Sequence, residues 1–298
     1  MVISTLKSTN KYILFFVSLL LVVLVFTSGC ISFSGKLGLF GITPTGPNYT
    51  KSENLLINAE VYPSEVIGGK EASLYFDVSN KGTTTITDFN LVFTDLCEFT
   101  GSGLEKNINL LKPGDFEQWN WKIKAKRVDM PRTCTLRYDV SYMTNSSARY
   151  DIAAVSEEEQ ERLLRKGEMD QIQLHYFKTK TPVEIDIWLS EEQPIIENST
   201  FYLYIKFRNT GNGYVDRVYA NQGKLTYPDF LELVNCDDYD NQGNLRRDLK
   251  FYRGETKTST CKFKVKEGTI IRDIGAFNVK INYKYMYHKT INVEIVPD

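Results

Sequence analysis

Apolar and polar residues alternate through most of the chain beyond residue 54. In two of the clearest segments every second residue is apolar: Trp119, Trp121, Ile123 and Ala125, and later Phe277, Val279, Ile281, Tyr283 and Tyr285. A period of two with a single apolar face is typical of a half-buried antiparallel strand. Such segments recur about every ten residues, with Gly, Asn and Pro between them, so the pattern predicts β-sandwich architecture.

The first thirty residues have a different pattern. Lys7 and Lys11 precede an uncharged apolar run over residues 12–26, and the next charged residue is Lys36. This run is short for a bilayer span and fits the apolar part of a signal peptide. A positive flank before the run and a neutral flank after it predict that the N-terminus stays inside and the rest of the chain lies outside.

The apolar run ends in small residues that lead directly to Cys30. This ending resembles the lipobox of prokaryotic lipoproteins, which implies a cleavage that leaves Cys30 lipid-modified at the new N-terminus. Thr27 departs from the leucine usual in that motif, so an uncleaved anchor and release as a soluble protein stay open. We expect residues 1–30 to be the signal peptide or membrane anchor, and the Gly- and Pro-rich residues 31–53 to be a flexible tether.

An internal repeat organises the remaining chain. Residues 74–82 (LYFDVSNKG) match residues 203–211 (LYIKFRNTG), with Leu, Tyr, Asn and Gly at the same spacing. An insertion of about eleven residues between Gly211 and Cys236 accounts for the larger offset of the later matching blocks. The repeat predicts two β-sandwich domains, over residues 54–155 and 182–298.

Each copy combines a strand ending in Asn-x-Gly, a short apolar strand and a turn with Pro-Gly or Gly-acid residues. This combination resembles CARDB-type immunoglobulin-like domains, which are common in archaeal and bacterial surface proteins. The resemblance covers both copies and implies about seven strands in each domain and a cell-surface setting, with no defined activity. The predicted fold class is therefore all-β: two tandem immunoglobulin-like β-sandwich domains after an N-terminal signal or anchor helix, with a short helix between the domains.

Residues 156–181 are predicted to link the two domains. Ser156 and Glu159 have the spacing of a capping box, and Gly167 is a natural C-terminal stop. Two charged pairs have the helical i,i+4 spacing: Glu158 with Arg162, and Glu161 with Arg165. The pattern predicts a short exposed helix over residues 157–166, which is either a solvated spacer or a helix that docks a partner.

Four cysteines follow Cys30: Cys97, Cys134, Cys236 and Cys261. An even number of cysteines in an exported chain favours disulfides over free thiols. Four cysteines allow three pairings, and the duplication favours the one within each domain, Cys97–Cys134 and Cys236–Cys261. The sequence has no CxxC pair, so the spacing argues against a cysteine-ligated metal.

Three asparagines begin the N-x-S/T pattern of N-glycosylation: Asn48, Asn145 and Asn198. We expect Asn48 to lie in the tether, Asn145 in a late turn of the first domain and Asn198 near the start of the second domain. A glycan at any of these places would leave the predicted cores undisturbed.

Charge and histidine content exclude several function classes. The chain has 36 Lys and Arg against 37 Asp and Glu, a formal net charge of −1. The cationic residues are scattered, so no nucleic-acid partner is expected. His175 and His288 are far apart in sequence, and no Gly-x-Ser-x-Gly elbow, Cys–His pair or phosphate-binding Gly loop is recognisable. The sequence therefore predicts no catalytic site and no cofactor.

A weak calcium candidate lies at residues 238–243. Asp238 and Asp240 place oxygen ligands at alternate positions and Gly243 stands sixth, as at the start of an EF-hand loop. The twelfth position holds Leu249, where a bidentate Glu is required. A solvated loop is the alternative interpretation.

Tyrosines are the candidates for a contact surface. Tyr202 and Tyr204 share one face of a predicted strand, and a second set shares one face of the penultimate strand: Tyr283, Tyr285 and Tyr287. Exposed tyrosines suit sugar stacking or a protein interface. The alternative is that these rings cover the edges of the sandwiches.

These observations predict a non-catalytic binding or structural protein of the cell envelope, extracytoplasmic and anchored to the membrane through its N-terminus. Its expected partners are the membrane and a protein or glycan at the cell surface. The alternatives are a subunit of a surface appendage or secretion assembly, and a glycan-binding accessory protein.

Overall fold

The structure is a computed structural model, and it describes residues 54–169, 172–268 and 271–298. The predicted leader, Cys30 and the tether lie outside the described residues. One α-helix and eighteen β-strands occur within the described ranges. The predicted all-β class with sandwich-like packing is therefore confirmed.

The first half of the chain contains eight strands and the helix. The strands are β1 Leu55–Tyr62, β2 Glu65–Ile67, β3 Glu71–Asn80, β4 Ile86–Asp95, β5 Phe99–Thr100, β6 Glu105–Leu111, β7 Phe116–Ala125 and β8 Arg132–Val155. The helix, α1, spans Glu157–Lys166. The remaining strands are β9 Tyr176–Lys178, β10 Val183–Leu189, β11 Ile195–Ile196, β12 Thr200–Asn209, β13 Arg217–Val218, β14 Gly223–Thr226, β15 Leu231–Cys236, β16 Leu249–Lys250, β17 Ser259–Val265 and β18 Arg272–Val296.

The strands form two similar four-stranded sheets and one larger sheet. The four-stranded sheets have the orders β1-β3-β7-β5 and β10-β12-β17-β15. The larger sheet has the order β14-β18-β8-β4-β6, and β2, β9 and β11 also pair with its two longest strands. β13 and β16 form a separate two-stranded sheet. Because the two small sheets follow the same order of equivalent strands, the two halves of the chain repeat one topology.

The two longest strands, β8 and β18, pair antiparallel along almost their whole length. Val155 pairs with Arg272 at one end and Arg132 with Ile295 at the other, and Tyr142 lies opposite Tyr285 near the middle. Each of these strands begins in the sheet of its own half and continues into the sheet of the other half. The sequence did not predict this shared sheet.

Each four-stranded sheet packs against one end of the β8–β18 pair. In the first half, the ring of Phe76 meets Tyr138 of β8 edge-on, with ring centroids 5.4 Å apart. In the second half, Phe263 meets Phe277 of β18 at 5.1 Å. Residues Thr50–Asp298 accordingly form one compact unit. The division into domains 54–155 and 182–298 stays a prediction, because the long strands belong to both parts.

The Asn-x-Gly motif has the same local geometry in both halves. The side-chain oxygen of Asn80 accepts a hydrogen bond from the backbone N–H of Gly82 at 3.0 Å. The side-chain oxygen of Asn209 accepts the equivalent bond from Gly211 at 3.1 Å. Each asparagine thus ends a ten-residue strand, β3 or β12, and orders the turn that follows.

Close packing explains the glycine of this motif. A Cβ added at Gly82 would overlap the side chain of Asn54, and one added at Gly211 would overlap the hydroxyl of Tyr285. The backbone oxygen of Asn54 also accepts hydrogen bonds from the turn, including one from Gly82 at 3.0 Å. Pro182, the equivalent of Asn54, accepts one from Gly211 at 3.2 Å. The spacing shared by the two sequence copies therefore reflects one shared packing arrangement.

Helix α1 lies at its predicted position. The hydroxyl of Ser156 accepts a hydrogen bond from the N–H of Glu159 at 3.2 Å, and Gly167 ends the helix in the left-handed conformation at φ 65°. Two details of the prediction are wrong. Arg162 pairs with Glu159 at 2.6 Å instead of Glu158, and Leu163 is buried, so one side of the helix packs against the protein.

Candidate functional site

Two disulfides join the cysteines in the predicted pairs. Cys97, in the β4–β5 connection, is bonded to Cys134 of β8, and Cys236 of β15 is bonded to Cys261 of β17. The second pair joins directly opposite residues of neighbouring strands. Disulfides of this structural kind are typical of an oxidising environment outside the cytoplasm.

The sequons occupy different kinds of backbone. Asn48 lies outside the described residues. Asn198 is exposed in the turn before β12, with φ 60°. The prediction that Asn145 lies in a turn is wrong: it is half-buried within β8 and pairs with Asn282 of β18. The error arises because the sequence suggests a domain end where the strand continues into the shared sheet.

The carboxylates of the calcium candidate already have protein partners. Asp238 is buried, pairs with Arg247 and accepts a hydrogen bond from the Ser259 hydroxyl. Asp240 accepts the backbone N–H of Asn244 at 2.8 Å, and this bond is the main cause of its lowered pKa. No group of three or more His, Cys, Asp or Glu residues suited to a metal ion occurs in the described part of the chain. Asp240 therefore stabilises the loop itself, and Asp238 holds the loop against β17.

The two histidines lie beside different aspartates. His288 pairs with Asp139 across the β8–β18 pair, and its ring stacks on Tyr214 at 5.7 Å. His175 lies 3.4 Å from Asp151, measured from the ring Nδ1 to a carboxylate oxygen. The two histidines therefore make separate aspartate contacts.

The expectation of an exposed tyrosine surface on β18 is wrong. Tyr283, Tyr285 and Tyr287 are all buried. The hydroxyl of Tyr283 accepts the backbone N–H of Val183 at 3.2 Å, and burial raises the pKa of this tyrosine. The alternation was correct, but the tyrosine face of β18 points toward the four-stranded sheets and not toward solvent.

The tyrosines of β12 do lie on an outer surface, together with a tryptophan that the sequence analysis missed. Trp188 of β10 pairs directly opposite Tyr204, and their rings stack with centroids 5.4 Å apart. Tyr202 stacks on Tyr204 with ring centroids 6.4 Å apart, so Tyr204 is the middle ring of the three. Trp188 and Tyr202 are 40% and 41% exposed. We call these three residues the aromatic ladder.

Charged side chains adjoin the ladder on the same face of the sheet. Lys206 and Arg208 continue the alternation of β12 beyond Tyr204. Lys206 pairs with Glu255, and Arg208 lies near both Asp186 and Glu184 of β10. The charges next to the ladder thus neutralise one another, and the rings themselves provide the apolar part of this surface.

Within residues 54–169, 172–268 and 271–298, no helix is long and apolar enough to cross a bilayer. The predicted leader lies outside those ranges.

Comparisons with known proteins give distant likenesses only. No protein-family model matches the chain, and no curated protein matches it in sequence. Escherichia coli alpha-2-macroglobulin activated by porcine elastase is similar with 11% identity and a TM-score of 0.23, over 82% of this chain and 22% of that chain. The present chain therefore spans about a fifth of the length of that macroglobulin.

Two further structures are similarly distant from this chain. The secreted serine protease VesC from Vibrio cholerae has 9% identity and a TM-score of 0.19, over 74% of this chain and 48% of that chain. The collagen adhesin CNA from S. aureus has 8% identity and a TM-score of 0.16, over 83% of this chain and 94% of that chain. Likenesses with TM-scores this low carry no functional argument, and the resemblance to CARDB-type domains stays a prediction.

Proposed function

We propose that this chain is a non-catalytic binding or structural protein of the cell envelope, held to the membrane by its N-terminal segment with its folded part outside. The two disulfides support an oxidising location, and the order of charges around residues 12–26 supports the orientation. The proposed partners are a protein or a glycan at the cell surface.

The observation that carries a binding role is the aromatic ladder. A row of stacked rings on a paired sheet, two of them exposed and the middle one half-buried, is rigid, so a partner that packs on it orders few side chains. Large aromatic side chains also dominate the binding energy of many interfaces. The neutralised charges of Lys206 and Arg208 beside the row would form its polar rim.

Photocrosslinking in intact host cells tests this role. A photoreactive residue replacing Trp188 is expected to give a discrete crosslinked product containing one protein or glycan. The same residue at Tyr62, an isolated aromatic that is 70% exposed in the other half, is the matched control and should not give that product. A fixed stoichiometric protein partner would favour the alternative of a subunit in an envelope assembly. Identical product patterns from the two positions, or no product from Trp188, would contradict the proposal.

Mass spectrometry of the native protein tests the proposed anchor. We expect a mature chain that begins at Cys30 and carries acyl chains. An intact N-terminus in the membrane fraction would support the uncleaved anchor, and an unmodified chain in the medium would support release. Recovery from the cytosol with reduced cysteines would overturn the extracytoplasmic location itself.

A further inference from the structure

A cleft that the sequence analysis did not identify lies on the outer face of the large sheet. It has a volume of about 660 Å³ and is formed by the paired strands β8 and β18, strand β9 and the loop after β3. Its size lies within the range of small-molecule sites, roughly 300–1,000 Å³. We call it the cationic cleft, because its lining includes Arg149, Lys178, Lys180 and Lys280.

The pairing of strands brings two of these cations and the ring of Phe177 to one face of the sheet. Arg149 of β8 lies opposite Asn278, and Lys280 lies opposite Ser147, so the two cations occupy neighbouring positions on one face. Strand β9 pairs with the other edge of β8 and places Phe177 opposite Arg149, whereas Lys178 lies opposite the buried Ala148. Because positions 149, 177 and 280 are distant in sequence, this surface is a product of the fold.

The lining has four cations and, among its described residues, no carboxylate. Arg149 and Lys178 are ion-paired with acidic residues outside the lining, at 2.9 Å and 2.7 Å. Lys180 and Lys280 are exposed, and no ion pair within the described ranges involves them. The chain as a whole has a net charge of −1, so this local excess of positive charge favours a negatively charged ligand.

The rest of the lining combines apolar side chains, among them Phe177, with neutral polar groups. Phe177 is 57% exposed and points an apolar surface at the cleft. Hydroxyl and amide groups come from Thr83, Ser147 and Asn278. A saccharide ring offers a C–H face to an aromatic side chain and hydroxyls to such polar groups, while a carboxylate or sulfate on it would meet the free ammonium groups.

We propose that the cationic cleft binds an acidic saccharide of the cell surface. Its anionic groups pair with Lys180 and Lys280, and one sugar ring packs on Phe177. This inference rests on the proposed binding function and names a ligand class for a second surface, separate from the aromatic ladder. An acidic peptide would satisfy the two lysines equally well, but it would make less use of the open ring and the row of neutral hydroxyl and amide groups.

Titration of the full-length chain in uncharged detergent micelles tests the inference. The probe is a galacturonate trimer, and its methyl-esterified form is the uncharged control. We expect the acidic trimer to bind, with affinity falling as salt is added because the ammonium groups are exposed, and the esterified trimer to bind far more weakly. A glutamate oligopeptide of equal charge should also bind more weakly than the acidic trimer.

Variants locate the site. Lys180→Gln and Lys280→Gln should each weaken binding of the trimer up to about fivefold, the scale of one exposed charge pair. Lys284→Gln is the matched control, since it lies on the same face of β18 about 13 Å further along the strand. Phe177→Ala should weaken binding, while Phe116→Ala, a phenylalanine with the same 57% exposure in the other half, should not.

Several results would overturn the inference. They are no binding of the acidic trimer, equal binding of its methyl ester, or equal losses in Lys280→Gln and Lys284→Gln. Equal or tighter binding of the glutamate peptide would replace the saccharide with an acidic protein segment. A failed titration leaves the crosslinking and mass-spectrometric results untouched, so failure of this inference is distinguishable from failure of the proposed function.

Discussion

At the scale of single residues, the side chain of Asn80 makes three hydrogen bonds that order the turn after β3. Its amide donates to the backbone oxygens of Thr84 and Leu111, both at 2.9 Å, and its oxygen accepts from Gly82. Asn209, the equivalent residue, donates to the oxygen of Gly213 at 2.6 Å and is less buried. The same motif therefore holds its turn more firmly in the first half.

We expect Asn80→Ala to lower the free energy of unfolding by about 2–4 kcal/mol, since it removes two buried hydrogen bonds to the Thr84 and Leu111 oxygens, while the N–H of Gly82 keeps its bond to the Asn54 oxygen. Asn209→Ala should cost less, about 1–2 kcal/mol, because its three hydrogen bonds are only partly buried and the one from the Tyr285 hydroxyl is long, at 3.4 Å. Guanidinium denaturation of both variants measures the difference. A larger loss from Asn209→Ala would contradict the ranking of the two turns.

Asp151 predicts a pH dependence of stability. Burial would raise the pKa of this carboxyl, but the hydrogen bond from the Arg149 side chain at 2.9 Å and the one from the His175 N–H at 3.2 Å together lower it. A lowered folded pKa means that the contribution to stability is complete above the ordinary aspartate value of about 4. That contribution is lost as pH falls through the folded value.

We therefore expect the free energy of unfolding of the unchanged chain to fall steeply below about pH 4. That of Asp151→Asn should fall less steeply, because the variant has no carboxylate to protonate at position 151. Denaturation between about pH 3 and 7 measures the two slopes. Asp129→Asn, at an exposed position, is the control and should keep the steep slope. Equal slopes in Asp151→Asn and the unchanged chain would refute this role.

At the scale of elements, helix α1 has the predicted capping residues and also a buried side that the sequence did not predict. Leu163 is 1% exposed, whereas its neighbour Leu164 is 60% exposed. We expect Leu163→Ala to destabilise the protein by about 2–4 kcal/mol, and Leu164→Ala to change stability by less than about 0.5 kcal/mol. Thermal unfolding compares the pair. Similar small effects of both variants would show that the helix is a free spacer.

The sequons make a prediction that depends on the element in which each lies. Asn198 is exposed in a turn, whereas Asn145 is half-buried in a paired strand. The adjoining Ser146 is buried and bonded to the Val183 oxygen at 2.6 Å. In a host that glycosylates this motif we expect glycan at Asn198 and none at Asn145. Peptide mapping by mass spectrometry decides the point, and glycan at Asn145 with Asn198 empty would contradict it.

At the scale of the whole molecule, the β8–β18 pair makes the two halves depend on each other. The part of β8 after residue 143 pairs with strands of the second half, and the part of β18 after residue 283 pairs with β8 and β2 of the first half. Each half alone would lack a strand of its main sheet and would expose a long unpaired edge.

We expect residues 54–169 and 172–298, produced as separate chains, to be protease-sensitive by themselves. Mixed together under conditions that form the disulfides, they should recover a protease-resistant complex, because each long strand completes the sheet of the other half. Limited proteolysis and circular dichroism measure the recovery. A resistant, folded 54–169 chain on its own would show that the predicted domains are independent.

The sequence by itself determined the features that depend on local pattern. The period of two identified the strands around Trp121 and Phe277, and the capping residues located α1 to its ends. The repeat also indicated which cysteines pair. These features follow from the spacing of neighbouring residues, which each strand, cap and duplicated block records directly.

The tertiary structure decided which face of each pattern is buried and which distant strands meet. Alternation shows that Tyr283 and Tyr285 share a face, but the sheet packed against them determines that this face is inside. The same holds for Trp188 beside Tyr204, and for Lys280 across β8 from β9, since register between strands distant in sequence determines these positions. Burial and pairing depend on contacts between segments, and a single strand carries no record of its partner.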